Sequence, residues 1–285
     1  MIIIDMMMLI RRCYAKMDFL KNDAGVPTGL EFGTLRTIEM LQKKYDQKVI
    51  LCFDHPHNFK RDEYPSYKAN RKSAGEDFYL RLAKFKKFLQ CLYVTVEMEG
   101  YEADELMFTI AKVNPEQNYV YTNDHDLLQV CDEHNVVVKS FHSKLFEWDA
   151  EKVTKEYGVP PYLLAVFFAF TGDKVDNIEG VPRINKKYLA SLINWSYEND
   201  LELDELVEEI CTADWGAKTK EALNSFVGNG QFGMNYRLIK LKLVPKMFAQ
   251  PPTEDKEFVK ECLLYWNIRT LKLCAGYDLL QDEEF

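Results

Sequence analysis

Three short apolar runs, each leading into an aspartate, set the rhythm of the first half of the chain. Ile2 to Ile4 ends in Asp5, Val49 to Phe53 ends in Asp54, and Asn118 to Tyr121 leads through Thr122 and Asn123 to Asp124 and Asp126. Between them, Thr34 to Lys44 carries Leu35, Ile38 and Leu41 at helical spacing. Gly100 to Lys112 opens with Glu102 and Asp104 and continues with Leu106, Met107 and Ile110. Short buried strands alternating with amphipathic helices predict an α/β fold built on a mainly parallel sheet, and ligands of such sheets bind beyond the carboxyl ends of the strands. The aspartates are therefore expected together at one edge.

The pattern then changes. Helical periodicity is read over Lys152 to Tyr157, Pro161 to Thr171, Lys186 to Ile193, Leu203 to Thr212 and Lys218 to Val227. Gly228 to Gly233 reads as a loop and Asn235 to Leu243 as a basic, apolar-alternating stretch. A boundary near residue 155 thus separates an α/β part, 1–155, from a helical region, 156–245. A tail, 246–285, holds Pro251, Pro252, a helix over Lys256 to Trp266 and an acidic end.

Composition narrows the setting. The seven cysteines are dispersed and odd in number, which predicts buried, reduced thiols and a cytoplasmic location, the host cytoplasm if the chain is phage-encoded. His55 and His57 lack the partners that a zinc site requires. The opening MIIIDMMMLIRR has its charges in the wrong order for a secretory signal, and Leu163 to Phe170 is too short to cross a bilayer. A net charge of -9 argues against nucleic acid when taken as a total, but Lys60 to Lys87 is locally basic. A basic segment beside an acidic cluster suits phosphate binding next to a metal.

The stretch FTGDKVDNIEGVPRINKK, Phe170 to Lys187, adds two more acids. Asp173 and Asp176 stand three residues apart, and on a helical turn both carboxylates would share a face. An isolated pair of that kind is usually solvated. Here Asp5, Asp54, Glu102, Asp104, Asp124, Asp126, Asp173 and Asp176 all sit at element ends, and gathering them would be repulsive without hard divalent ions as counter-charge.

Several segments in order resemble the 5′ nuclease family, which includes flap endonucleases, phage 5′-3′ exonucleases and ribonucleases H of that type, and the amino-terminal nuclease domain of bacterial DNA polymerases. They are IIID at the start, VPTGLEFG at 26–33, FDHPHNFKRDEYPSYKANR at 53–71, GYEADEL at 100–106, YTNDHDLLQV at 121–130, KEYGVPP at 155–161 and the 170–187 stretch. The resemblance implies a PIN-like sheet flanked by helices, a gateway or arch over about 60–92, and a helix-three-turn-helix region that grips duplex DNA. It implies two Mg²⁺ ions, with Mn²⁺ as substitute. Asp5, Asp54, Glu102, Asp104 and Asp124 match first-site or shared ligands, and Asp126, Asp173 and Asp176 match acids nearer the second ion. Tyr67, Lys68 and Arg71 match residues at the base of that gateway or arch, where Lys68 and Arg71 would stabilise charge developing on the phosphate and Tyr67 offers a face for an unpaired base. Lys60, Arg61, Lys72, Arg183, Lys186 and Lys187 complete the implied DNA contacts.

The chain departs from the family at the hairpin. Where the family has Gly-Val-Pro-Gly-Ile-Gly, this chain has Gly180, Val181, Pro182, Arg183, Ile184 and Asn185, so the monovalent cation held at 180–187 is implied only in modified form. The partners implied are DNA with a 5′ flap, nick or free 5′ end, or an RNA–DNA hybrid, with no membrane and a monomeric protein. Two other readings stay open at this point: a DNA-binding relative with a decayed site, and a PIN-type ribonuclease. The full set of acids counts against the first, and the GDKVDN segment with its helical region against the second.

Overall fold

The computed structural model describes residues 1–70, 73–141, 144–277 and 279. In chain order the regular elements are β1 (Ile2–Asp5), α1 (Met6–Met17), α2 (Gly29–Tyr45), β2 (Val49–Cys52), α3 (Phe59–Glu63), α4 (Glu76–Leu92), β3 (Val94–Val96), α5 (Ala103–Val113) and β4 (Asn118–Tyr121). They continue with β5 (Asn135–Phe141), β6 (Lys144–Trp148), α6 (Ala150–Tyr157), α7 (Leu164–Thr171), α8 (Lys186–Glu198), α9 (Leu203–Thr212), α10 (Ala217–Gly228), α11 (Gln231–Ile239) and α12 (Lys256–Trp266). Among the described residues no helix is long and apolar enough to cross a membrane.

The mainly parallel sheet flanked by helices is as the sequence leads one to expect, and the chain groups into two compact units. One compact unit comprises Met1–Pro56, Ser73–Asn123 and Val244–Phe285, the other His57–Lys72 and Asp124–Leu243. In the first, β1 pairs in parallel with β2 and β4, and β2 with β3. Ile2, Ile3 and Ile4 are fully buried, because a parallel sheet covered by helices on both faces excludes water from every position of its central strand. Each such side chain contributes about 2 kcal/mol of transfer free energy.

Helix α1 was hidden in the apolar opening. Met6, Leu9, Ile10 and Cys13 form its buried stripe, and the Asp5 side chain caps it by accepting from the Met8 amide at 2.9 Å. Asp5 therefore ends a strand and starts a helix. Strand β3 is only three residues long, and α4 fills most of the 60–92 segment, burying Phe78, Phe85, Phe88 and Leu89. The lysines of α4 are occupied structurally: Lys84 lies over Tyr265 at 4.1 Å, Lys86 pairs with Glu97 at 2.5 Å, and Lys87 lies over Phe258 at 4.6 Å.

In the second unit β5 and β6 form an antiparallel pair, with Lys139 opposite Phe146 and Val137 opposite Trp148. Every later regular element among the described residues is helical. The loop expected over 228–233 shrinks to Asn229 and Gly230, and the basic stretch after it begins inside α11. Fully buried Asn235 of α11 donates to the carbonyls of Ala169 and Glu179 at 2.9 and 2.7 Å, tying α11 to the end of α7 and to the segment that follows it.

Candidate functional site

In the first unit the parallel register sets Asp5 beside Cys52, so Asp5 and Asp54 leave the sheet at the same, carboxyl edge. The ladder is prolonged by Phe53, whose amide donates to the Val96 carbonyl at 2.9 Å. The second oxygen of Asp5 accepts from the hydroxyl of buried Thr122 at 3.1 Å, and Asp54 accepts from the Ala103 amide at 2.8 Å. That second bond holds the start of α5 against the strand end. Glu102 and Asp104 flank it, both buried carboxylates at a helix amino terminus, where the backbone dipole favours negative charge. The Glu105 carboxylate accepts from the Glu102 amide at 3.2 Å. Burial pushes the Cys52 thiol well up, and the charges of Asp5 and Asp54 push it further. Cys52 thus stays a neutral floor beneath two carboxylates.

In the second unit the Asp126 amide donates to Asp124 at 2.9 Å, which fixes the pair at the start of a short helical turn, Asp126–Val130. The neighbouring His125 ring shares a 2.6 Å hydrogen bond with the Tyr157 hydroxyl.

Asp173 and Asp176 are not on a helical turn. Gly172, at φ 71°, ends α7, and residues 173–178 close a tight loop in which Asp173 and Ile178 exchange backbone hydrogen bonds of 2.9 and 2.7 Å. Asn177 takes a left-handed φ of 61°, which breaks the helical path that the spacing suggested. Asp173 accepts from the Val175 amide at 2.7 Å, and Asp176 is turned inward and buried. The close approach of the Gly172 and Gly180 backbones locks the loop's base, since a Cβ on Gly172 would meet the Gly180 nitrogen at 2.4 Å.

This acid loop is laced to the segment YPSYKAN. Asn177 donates to the Ser66 carbonyl at 3.0 Å, the Lys68 amide to the Asp176 carbonyl at 3.1 Å, and the Lys68 ammonium lies 3.6 Å from the Asp176 carboxylate. Lys68 holds a left-handed φ of 55° to do so. Tyr67 is 3% exposed, with the ammonium groups of Lys68 and Lys60 lying 4.7 and 5.9 Å from its ring centroid, so it offers no open face for a base. Arg61 is exposed. Arg71 and Lys72 lie outside the described residues.

At the hairpin, the two positions where the family has glycine take defined local roles. Arg183 itself adopts φ 57°, and Asn185 becomes the cap of α8, accepting from the amides of Lys187 and Tyr188 at 3.1 and 3.2 Å. Arg183, Lys186 and Lys187 are exposed around that helix start, where cations oppose the dipole and gain only from an external anion.

Every candidate ligand is an oxygen donor of the kind that hard divalent ions take. Among the described residues no group of three or more His, Cys, Asp or Glu side chains is arranged to hold an ion by itself. The Lys139 ammonium on β5, which carried no sequence signal, is buried and has no hydrogen-bond partner among the described residues.

Residues 1–158 match the family described as 5′-3′ exonuclease, N-terminal resolvase-like domain. The chain is 33% identical over 180 residues to DNA polymerase I of Borreliella burgdorferi, covering 61% of this chain and 20% of that protein. It is 28% identical over 250 residues to the 5′-3′ exonuclease of Buchnera aphidicola, covering 85% and 86% of the two. The chain therefore spans about a fifth of the polymerase and most of the exonuclease. Among solved structures it is similar to a bacteriophage T5 flap endonuclease, a pseudo-enzyme-product complex with DNA and metal ions, with a TM-score of 0.68, 18% identity and 93% and 98% of the chains covered. At that identity the likeness is one of fold.

Proposed function

Since the chain belongs to the 5′-3′ exonuclease family, whose amino-terminal domain it carries over residues 1–158, we propose that it is a divalent-metal-dependent nuclease. It cuts phosphodiesters at 5′ flaps, 5′ ends or RNA primers in DNA replication and repair, and it acts as a monomer. The observation that carries this reading is the lacing of Lys68 onto the acid loop at Asp176, which sets a cation for phosphate against a carboxylate for metal.

By the family motifs they match, Asp5, Asp54, Glu102, Asp104 and Asp124 would hold or share one Mg²⁺, and Asp126, Asp173 and Asp176 would serve the second, with Mn²⁺ able to replace either. A hard dication that keeps several waters needs only one or two direct carboxylates. When bound, such ions supply Lewis acidity and an acidified water for in-line attack on phosphorus.

The protein groups do the rest. Thr122 and the Met8 amide fix the two oxygens of Asp5, and the Ala103 amide fixes Asp54. Lys68 and Arg71 neutralise charge that develops on the phosphate. Arg183, Lys186 and Lys187 at the start of α8 take backbone phosphates of the duplex, and the Arg183 side chain replaces part of what a glycine-lined cation hairpin would provide. Lys60, Arg61 and Lys72 extend the basic track. Selection rests on duplex shape and a free 5′ end, not on base edges.

Cleavage of a labelled 5′-flap duplex, a nicked RNA-primed duplex and a plain single strand tests the reading, with Mg²⁺ and with EDTA. Metal-dependent cutting near the junction, abolished by Asp124→Ala, is expected. Duplex binding without cutting in Mg²⁺ or Mn²⁺ would leave a DNA-binding protein and no nuclease.

A further inference from the structure

Asn235 of α11 is fully buried, and its side-chain amide donates to two backbone carbonyls that stand on either side of the acid loop. Ala169, ahead of the loop, accepts at 2.9 Å, and Glu179, behind it, at 2.7 Å. The amide oxygen accepts in turn from the Gln231 side chain at 2.9 Å, one helical turn earlier, so the carboxamide is fixed at both ends.

A donor is needed there because the last carbonyls of a helix have no partner in their own helix. At the end of α7 the Phe168 carbonyl accepts from the Gly172 amide and the Phe170 carbonyl from the Val181 amide, each at 2.7 Å. Ala169 would take the Asp173 amide if the helix ran on, but that amide is turned to the Ile178 carbonyl at 2.9 Å to close the loop. Asn235 supplies the missing donor, and one rigid group thereby bridges both stems.

The loop so held is the one that meets YPSYKAN through Asn177 and through the carbonyl and carboxylate of Asp176. Two residues along α11, exposed Arg237 donates to the Tyr64 hydroxyl of that same segment. Helix α11 thus grips the segments of both Lys68 and Asp176, one from its surface and the other from within.

We propose that Asn235 is a positioning residue of the nuclease. By clamping both stems of the acid loop it sets where Asp176 receives Lys68, and so where the Lys68 ammonium stands for the phosphate. The inference rests on the role given to Lys68 above. Asn235, being fully buried, touches no substrate.

Asn235→Leu keeps the volume and removes both donors, while Asn235→Ser leaves one hydroxyl donor for two carbonyls. Amide hydrogen exchange and cleavage of a 5′-flap duplex in Mg²⁺ are measured on both variants, on Lys68→Met and on Asn235→Leu combined with Lys68→Met, with circular dichroism to verify folding. Exchange of the Ile178 and Lys68 amides is expected to quicken roughly tenfold or more, while interior amides of α8 stay within about threefold of wild type. Turnover, kcat, is expected to fall roughly ten- to a hundredfold with KM within about threefold, and to fall little further when Asn235→Leu is added to Lys68→Met. A purely structural role would quicken exchange in α8 as much as in the loop, and that result overturns the proposal. So does a folded Asn235→Leu with wild-type kcat, full additivity with Lys68→Met, or loss of the fold in both variants. If wild type cuts no flap, or Lys68→Met cuts as wild type does, the reading of Lys68 fails and takes this inference with it.

Discussion

Lys68 and Asp176 meet at 3.6 Å with side chains only 7% and 6% exposed, on two segments that are more than a hundred residues apart in sequence. Buried pairs of this kind contribute little net stability as a pair but become expensive when one member is removed. Lys68→Met is therefore expected to cost about 3 kcal/mol and Asp176→Asn a similar amount, with the double substitution recovering at least about 1 kcal/mol of their sum. Denaturant unfolding of the four proteins measures the coupling, and strict additivity would contradict it.

The base of the acid loop tolerates no side chain on Gly172. Its φ of 71° and the 2.4 Å that would separate a Cβ here from the Gly180 nitrogen predict that Gly172→Ala loses about 3 kcal/mol or more, because backbone rather than a flexible side chain must move. Thermal unfolding reads the loss.

Arg183 presents the opposite case. It occupies a left-handed conformation that glycine takes freely, so Arg183→Gly is expected to leave stability within about 1 kcal/mol of wild type or to raise it. The same change removes an exposed cation beside the start of α8. Duplex affinity should fall severalfold, and the slope of log affinity against log salt should drop by about 1. Titration of a labelled duplex at several salt concentrations separates the two effects.

Lys139 gives a pH signature. Burial, the largest influence, draws it from a lysine's ordinary 10.5 down to about 8 against the opposing pull of Asp124, Cys131 and Asp126. Between about 8 and 10.5 the folded chain has released this proton while the unfolded chain still holds it, so unfolding takes up a proton and stability rises with pH across that window. Below about 8 both states carry the proton and the burial cost is constant. Stability measured from pH 7 to 10.5 should therefore climb in wild type by about 1 to 3 kcal/mol relative to Lys139→Met, which should also be the more stable protein at pH 7.

How much of this was legible follows from residue chemistry. Asp5 and Asp54 could be placed because an apolar run ending in an acid has a simple meaning in a parallel sheet, and Glu102 and Asp104 because acids at a helix start are read locally. Asp173 and Asp176 were singled out, but their loop was not read, since three-residue spacing describes a helix only if nothing at Gly172 or Asn177 turns the chain left-handed. Tyr67 was given a stacking face through the resemblance, but its ring is buried, with the ammonium groups of Lys60 and Lys68 beside it. Asn235 and Lys139 gave no signal, because what matters about each is decided by distant partners: Ala169 and Glu179 for one, Trp148 and two aspartates for the other.

The two compact units are each assembled from separated pieces of chain, and this bears on the order in which the protein can be made. The first unit draws on residues from Met1 to Asn123 and is completed by Val244–Phe285, where Gln250 and Thr95 exchange backbone hydrogen bonds of 2.8 and 3.0 Å beside β3. A chain emerging from the ribosome thus exposes the edge of β3 throughout the synthesis of the helical region. Its first strands must wait, open to aggregation or to a chaperone, for a segment translated more than a hundred residues later.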